Sequence, residues 1–231
     1  MKAVSVRAGV EPAAAFDDAH HRRLTWQVPL AITGVAVLAL SVDLPITRWV
    51  AGDHLPSSVE KAIRLSEVFS HGFGVAVILI AVFVLDREHR ARMPRLVAGT
   101  VLAGLLANCF KLLVSRSRPR SFDLHGQILD SFSGWLPLGR LPSVQEGFPS
   151  AHAAAGFALA VMLSWSYPAG RTFFFILAAI SGLQRVQSSA HFPSDVLFGA
   201  ALGCFAAYAC LPGGLIGRFL DRREARRASI S

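Results

Sequence analysis

Six apolar blocks divide the chain, and polar or basic segments separate them. The blocks are Leu24–Val42, Val68–Leu85, Leu96–Val114, Ala153–Tyr167 directly after His152, Thr172–Leu183 and Val196–Leu211. A helix of about 20 residues crosses the roughly 30 Å of hydrocarbon in a bilayer. The fifth block reaches that length only if its helix continues through Gln184 and Arg185. The pattern predicts an all-α polytopic membrane protein with six transmembrane helices.

Two further segments complete the predicted architecture. The stretch "SSVEKAIRLSEVF" has apolar residues at helical spacing, which predicts an amphipathic interfacial helix before the second span. The segment from about Ser115 to Gly147 is the longest loop and separates spans three and four. We predict three regions: an N-terminal arm (1–23), a membrane domain (24–217) and a basic tail (218–231). Asp43, at the edge of the first block, is expected at the membrane interface.

Composition agrees with a membrane protein. Hydrophobic residues make up 53% of the chain and charged residues only 16%, whereas a soluble domain carries about 25% charged residues. The net charge of +8 comes from basic residues that flank apolar blocks, and no basic face interleaved with aromatic residues is visible. We therefore predict the lipid bilayer, and no nucleic acid, as a partner. Nothing in the pattern indicates an oligomeric state.

The basic residues also predict the orientation in the membrane. "DREHRARMPR" between blocks two and three, the tail "RFLDRREARR" and the end of the N-terminal arm fall on one side of a six-span arrangement. By the positive-inside rule this side, with both termini, is cytoplasmic. The long loop then lies on the outer side, although it carries four arginines: Arg116, Arg118, Arg120 and Arg140. Arginines placed against the rule suggest a function on that side.

Lys111 and Arg118 form the first candidate cluster. They are seven positions apart, so on a helix both side chains project from one face with Cα atoms roughly 10 Å apart. Pro119 disfavours helical geometry at Arg118 and would end the helix there. The alternative is that both side chains extend to lipid head groups.

The segment "RVQSSAHFPSD" holds the second cluster, with Arg185, His191 and Asp195. Pro193 suits the first position of the sixth helix, which puts Asp195 in its first turn. There Asp195 can accept a hydrogen bond from one imidazole nitrogen of His191, leaving the other nitrogen free to act as a nucleophile. The alternative is a capping aspartate beside an interfacial histidine.

The third cluster is "FPSAH". Pro149 suits the first position of helix four, so the backbone N–H groups of Ser150 and Ala151 would form an anion site, to which the Ser150 hydroxyl adds a donor. His152 would stand beside the bound anion. By itself it could be an interfacial histidine without a role. Since the topology places all three clusters on the outer side, we expect fixed cations around a nucleophilic histidine, as phosphoryl transfer requires.

Three motifs in the chain resemble those of the type-2 phosphatidic acid phosphatase superfamily, which is related to the vanadium haloperoxidases. The family motifs KxxxxxxRP, PSGH and SRxxxxxHxxxD correspond here to "KLLVSRSRP", "PSAH" and "QRVQSSAHFPSD". Order and spacing match. Ala151 replaces the motif glycine, and Gln184 replaces the motif serine.

The resemblance implies a role for each matched residue. His191 would attack phosphorus and form a phosphohistidine, Asp195 would orient it, and His152 would protonate the leaving oxygen and then activate water. The phosphate would be held by Lys111, Arg118, Arg185, Ser150 and the backbone near Ala151. No metal and no other cofactor is implied.

The resulting hypothesis is an integral lipid phosphatase of a bacterial inner membrane, with its site facing the periplasm or the exterior. Candidate substrates are phosphatidic acid or phosphatidylglycerophosphate, undecaprenyl diphosphate, and lipid A phosphates. Two alternatives stay open: phosphate transfer between lipid carriers, and a non-catalytic lipid-binding or transport protein. In the long loop, Trp135 and "LPLGRLPS" suggest a lid over the lipid head group, although Trp135 also suits a simple interface anchor.

Overall fold

The computed structural model describes residues 18–52, 54–135 and 147–228, with the backbone alone for 18–25 and 224–228. The helices are α1 (Asp18–Ala39), α2 (Asp43–Ala51), α3 (Ser57–Leu65), α4 (Gly72–Leu85), α5 (Met93–Lys111), α6 (Ala151–Ser166), α7 (Arg171–Gln187), α8 (Pro193–Cys210) and α9 (Gly217–Ala228). Two short strands, β1 (Val114–Arg116) and β2 (Phe132–Trp135), lie between α5 and α6. The predicted helical architecture is confirmed.

Every apolar block forms a helix. The first to sixth blocks correspond to α1, α4, α5, α6, α7 and α8, and α7 continues through Arg185 to Gln187. The amphipathic leader forms α3, followed by a 3-10 turn, Ser66–Phe69. Within α3 the described side chain that is buried is Ile63, as expected for a helix with one apolar face.

Helix length and composition identify the candidate membrane spans. Arg90–Lys111 and Pro193–Cys210 are long and apolar enough to cross a membrane by themselves. Two further candidates are bent pairs: Trp26–Ala39 with Asp43–Ala51 at 71°, and Ser57–Phe69 with Gly72–Leu85 at 64°. The described residues thus contain two to four candidate spans. Six spans remain a prediction.

Helix α8 lies at the centre of the domain and packs against α1, α5 and α6, while α6 also packs against α7. Small residues allow this packing. A Cβ on Gly199 would lie 2.3 Å from the Ser150 carbonyl oxygen, and a Cβ on Gly203 would lie 2.2 Å from that of Ala154. The two glycines therefore let the backbones of α6 and α8 approach closely, as small residues do in membrane helix pairs.

The long loop departs from the all-α prediction, because β1 and β2 pair as an antiparallel ribbon. Two residues separate the end of α5 from the start of the ribbon. Alternation along β1 turns the side chains of Val114 and Arg116 inward. Of the proposed lid, Trp135 ends β2 and is exposed. The segment "LPLGRLPS" lies outside the described residues.

Polar residues mark the two ends of the bundle. At one end, Arg92 donates to the Ser166 carbonyl at the end of α6, and Arg95 to the Cys210 carbonyl at the end of α8. At the other end α5 and α7 terminate and α6 and α8 begin. These four helix ends carry Lys111, Arg185, His152 and Asp195.

Candidate active site

His191 lies in the short connection between α7 and α8 and is 3% exposed. Its Nδ1 is 2.6 Å from the Gly147 carbonyl oxygen. Because a carbonyl only accepts, Nδ1 carries the proton in a neutral ring, and Nε2 keeps its lone pair. The backbone N–H of His191 also donates to the Arg185 carbonyl, at 3.2 Å. Both the backbone and the ring of His191 are thereby fixed.

The surroundings keep the His191 ring neutral. Burial lowers its pKa well below the usual value, and the bond to Gly147 opposes that shift in part. The positive charges of Arg118, Arg185 and Lys111 lower the pKa further, since each disfavours a second nearby cation. An uncharged imidazole among three fixed cations is suited to attack an anionic phosphoryl group.

The direct hydrogen bond predicted from His191 to Asp195 is not present in this structure. Asp195 Oδ2 is 4.0 Å from His191 Nδ1, and it accepts the backbone N–H of Phe192 at 2.8 Å instead. As predicted, α8 starts at Pro193, and Asp195 lies in its first turn. There the carboxylate caps the helix by accepting the backbone N–H of the residue that follows His191.

Behind Asp195 lies a fully buried polar cluster that sequence reasoning missed. Arg116 donates to Asp195, to Asp43 at 2.8 Å and to Ser194 at 2.8 Å, and it lies between the rings of Phe132 and Phe192. Asp43, predicted at the membrane interface, is fully buried within the protein, with its side chain 0% exposed. Two features of the sequence could have pointed to this cluster. Arg116 is placed against the positive-inside rule, and Asp43 directly follows the first apolar block.

His152 is the second residue of α6, and its ring lies 5.6 Å from that of His71. Within the described part of the chain, its Nε2 has no hydrogen-bond partner although the atom is buried. Glu67 Oε1 lies 3.7 Å from this nitrogen. An unpartnered buried nitrogen of this kind is available to a bound ligand.

The start of α6 differs from its predicted form. The helix begins at Ala151, with Ser150 as N-cap and Pro149 before the cap rather than in the first turn. The Ser150 backbone N–H donates to the Asp195 carbonyl at 3.1 Å, so it is not free for an anion, and the Ser150 hydroxyl oxygen accepts from Ala153 at 3.3 Å. The amide of Ala151 remains at the helix start, where N–H groups lack intrahelical partners.

Lys111 and Arg118 do not share a helical face as predicted. Helix α5 ends at Lys111, and Arg118 has extended backbone angles, φ −77° and ψ 151°. A Cβ on Gly147 would lie 3.3 Å from Arg118 Cγ, so Arg118 packs beside the residue that holds His191. Burial, followed by the charges of Arg120 and Arg185, lowers the pKa of Arg118.

Arg185 projects from the last turn of α7 and contacts Glu67 Oε1 at 2.5 Å. Its Nε is buried and has no hydrogen-bond partner among the described residues. The charges of Arg185 and Lys111 act on both histidines, His152 and His191. The structure therefore brings the predicted residues to one region, with Glu67 as an unpredicted member.

Comparison with known proteins gives the family. The PAP2 superfamily model matches residues 94–214. A lipid A 1-phosphatase of Rhizobium johnstonii is 36% identical over 79% of this chain and 78% of that protein. A lipid A 1-phosphatase of Rhizobium etli is 30% identical over 78% and 81%. The crystal structure of Aquifex aeolicus LpxE superposes with a TM-score of 0.55 at 21% identity, covering 73% of this chain and 94% of that one. The chain therefore belongs to the PAP2 superfamily and is a hydrolase of the lipid phosphatase class.

Proposed function

We propose that the chain hydrolyses a lipid phosphomonoester by forming a phosphohistidine at His191. The observation that carries the proposal is the state of His191: its Nδ1 is held by the Gly147 carbonyl at 2.6 Å. The charges of Lys111, Arg118 and Arg185 act on the same ring. A phosphate dianion bound among these three cations would lie beside the free Nε2.

In the first step, the Nε2 lone pair of His191 forms a bond to phosphorus. With the phosphate dianion bound, His152 is protonated on both ring nitrogens. The bond from phosphorus to the ester oxygen breaks, and that oxygen takes the proton from His152 Nε2, an atom with no hydrogen-bond partner among the described residues. This transfer leaves the His152 ring neutral. Arg118 and Arg185 would stabilise the charge on the phosphoryl oxygens, which is the main contribution available to a phosphoryl-transfer site.

In the second step, water replaces the alcohol. Neutral His152 accepts a proton from the water as its oxygen attacks phosphorus, and the bond to His191 breaks. Inorganic phosphate leaves, and both rings return to their starting protonation states. General acid and general base roles for one histidine in successive steps follow from microscopic reversibility.

The proposed orientation puts the site on the outer face of an inner membrane, with six spans and both termini cytoplasmic. It is supported by Arg92 and Arg95, which lie at the bundle end opposite His191, together with the arginine-rich tail in α9. Basic residues mark the cytoplasmic end of membrane helices.

For the substrate we propose a lipid A phosphate, which is supported by the two relatives named lipid A 1-phosphatase. The test is a phosphate-release panel with purified protein in detergent. It would include lipid A, phosphatidic acid, phosphatidylglycerophosphate and undecaprenyl diphosphate. We expect release from lipid A with EDTA present, and inhibition by vanadate.

His191→Ala serves as the matched control in every reaction of the panel. We expect its rate to fall by at least about a thousandfold, because the nucleophile is lost. A strict requirement for a divalent metal, or full activity of His191→Ala, would overturn the proposed reaction. Release from another lipid alone would change only the substrate.

A further inference from the structure

Glu67 brings a carboxylate into the cation-rich region around the two histidines. Its Oε1 contacts Arg185 at 2.5 Å and lies 3.7 Å from His152 Nε2. Its Oε2 accepts from Gln184 Nε2 at 3.3 Å. A negative charge here opposes the binding of a phosphate, so its placement requires an explanation.

The position of Glu67 is held on two sides. Ser70, three residues later, hydrogen-bonds Ser181 of α7, so the turn Ser66–Phe69 is attached to the helix that carries Arg185. On the other side a Cβ on Gly156 would lie 2.9 Å from Ser70 Cβ. This glycine lets the turn approach α6 one helical turn beyond His152. The fold therefore sets the carboxylate beside the His152 ring.

The replacement of the motif serine also relates to Glu67. Gln184 occupies that position, and its amide donates to Glu67 while its oxygen accepts from Arg185 at 3.1 Å. A serine hydroxyl has a much shorter reach than a glutamine amide. In this structure the Gln184 amide therefore donates its hydrogen bond to the Glu67 carboxylate, in place of a phosphate oxygen.

The charges around His152 indicate what the carboxylate does. Burial, followed by the charge of Arg185, disfavours a protonated His152 ring, with smaller contributions from the neighbouring His71 and from Lys111. Glu67 acts in the opposite direction and favours the protonated ring. We propose that Glu67 is a positioning residue for His152: it pairs with the protonated ring and keeps the donated proton on Nε2 until the ester bond breaks. This inference rests on the proposed phosphatase reaction.

When a phosphate binds, Arg185 has a new anionic partner, and Glu67 is left facing His152. As the ester bond breaks, its electron pair goes to the leaving oxygen, which takes the Nε2 proton. Glu67 gains no proton in this step. Its contribution depends on how much the leaving oxygen needs that proton, so it should be large for an alcohol and small for an acidic phenol.

The test compares Glu67→Gln with wild type on two substrates, a long-chain alkyl phosphate and p-nitrophenyl phosphate. We expect kcat for the alkyl phosphate to fall about tenfold, a part of the 10²–10⁴-fold that general acid catalysis supplies. We expect kcat for the aryl phosphate to change less than about threefold. Glu60→Gln is the control, because Glu60 pairs with Arg64 on the exposed side of α3 and should match wild type.

Three results would overturn the inference. An equal fall for both substrates would indicate only a structural role, and an unchanged kcat with lower KM would make Glu67 a simple competitor of phosphate. If kcat and KM of Glu67→Gln matched wild type on both substrates, Glu67 would have no role in the reaction. Should Glu67→Gln fail to fold, Gln184→Ser must show the same dependence on the leaving group. Failure of the phosphatase proposal itself would look different, since wild type and His191→Ala would then behave alike.

Discussion

His191 and Gly147 are joined by a hydrogen bond of 2.6 Å, from the imidazole Nδ1 to the backbone carbonyl oxygen. Gly147 lies just before α6, the helix that carries His152. Only a few residues therefore connect His152 to the carbonyl that holds the nucleophile His191. Asp195, the residue expected to hold the ring, is 4.0 Å away and caps α8. The hydrogen bond that holds the ring nitrogen therefore comes from the backbone of Gly147.

A first prediction concerns the charge on His191. Burial and three neighbouring cations hold its pKa well below the usual value, so the ring stays neutral at pH 7 and becomes protonated only in more acidic solution. We expect ¹⁵N spectra of histidine-labelled protein, assigned with His191→Asn, to show neutral His191 down to well below pH 6.5. If the His191 ring were protonated at pH 6.5 or above, burial and the neighbouring cations would not keep it neutral.

A second prediction concerns the cluster behind Asp195. Replacing Arg116 with Met leaves Asp43 and Asp195 buried without their cation. Breaking a buried pair in this way costs about 3–5 kcal/mol of unfolding free energy. Denaturant unfolding in detergent measures the change, and exposed Arg120→Met should stay within about 0.5 kcal/mol of wild type. Equal stability of the two variants would show that the cluster does not hold α2 to α8.

A third prediction concerns the contact between α6 and α8. In Gly203→Ala, the new methyl group would lie 2.2 Å from the Ala154 carbonyl oxygen, which forces the helices apart. We expect a loss of about 1–3 kcal/mol in unfolding free energy, with a fall in kcat because His152 moves relative to His191.

Gly104→Ala is the matched control for that variant. It makes the same change on α5, where a Cβ would have no atom within 4 Å. Its stability should be unchanged or up to about 1 kcal/mol higher, since alanine favours helix. If Gly203→Ala were as stable and active as Gly104→Ala, the close approach of α6 and α8 would not position the site.

The helices could be predicted from the sequence because each apolar block carries a local periodic signal. Block three was expected to run from Leu96 to Val114, and α5 spans Met93–Lys111. After a short turn at Leu112 and Leu113, the chain pairs with β2, whose partner residues are 16 to 21 positions away. Such pairing leaves no periodic trace in either segment.

In the candidate site, too, local motifs could be predicted from the sequence and long-range contacts could not. The motif spacing identified the histidines and cations, all of which the fold brings to one end of the bundle. Glu67 contacts Arg185 across 118 positions, and Asp43 contacts Arg116 across 73. The sequence marks Arg116 and Asp43 as unusual, but it does not show which residues they contact. Those contacts appear only once α2, β1, the turn Ser66–Phe69 and α7 are folded together.

The most direct test of the account is to map the phosphoenzyme. Wild-type protein would be mixed with ³²P-labelled lipid phosphate, quenched in alkali, which preserves phosphohistidine, and digested for mass spectrometry. We predict phosphate on His191, and none in His191→Ala. Phosphate on any other residue, or normal turnover by His191→Ala, would contradict the account.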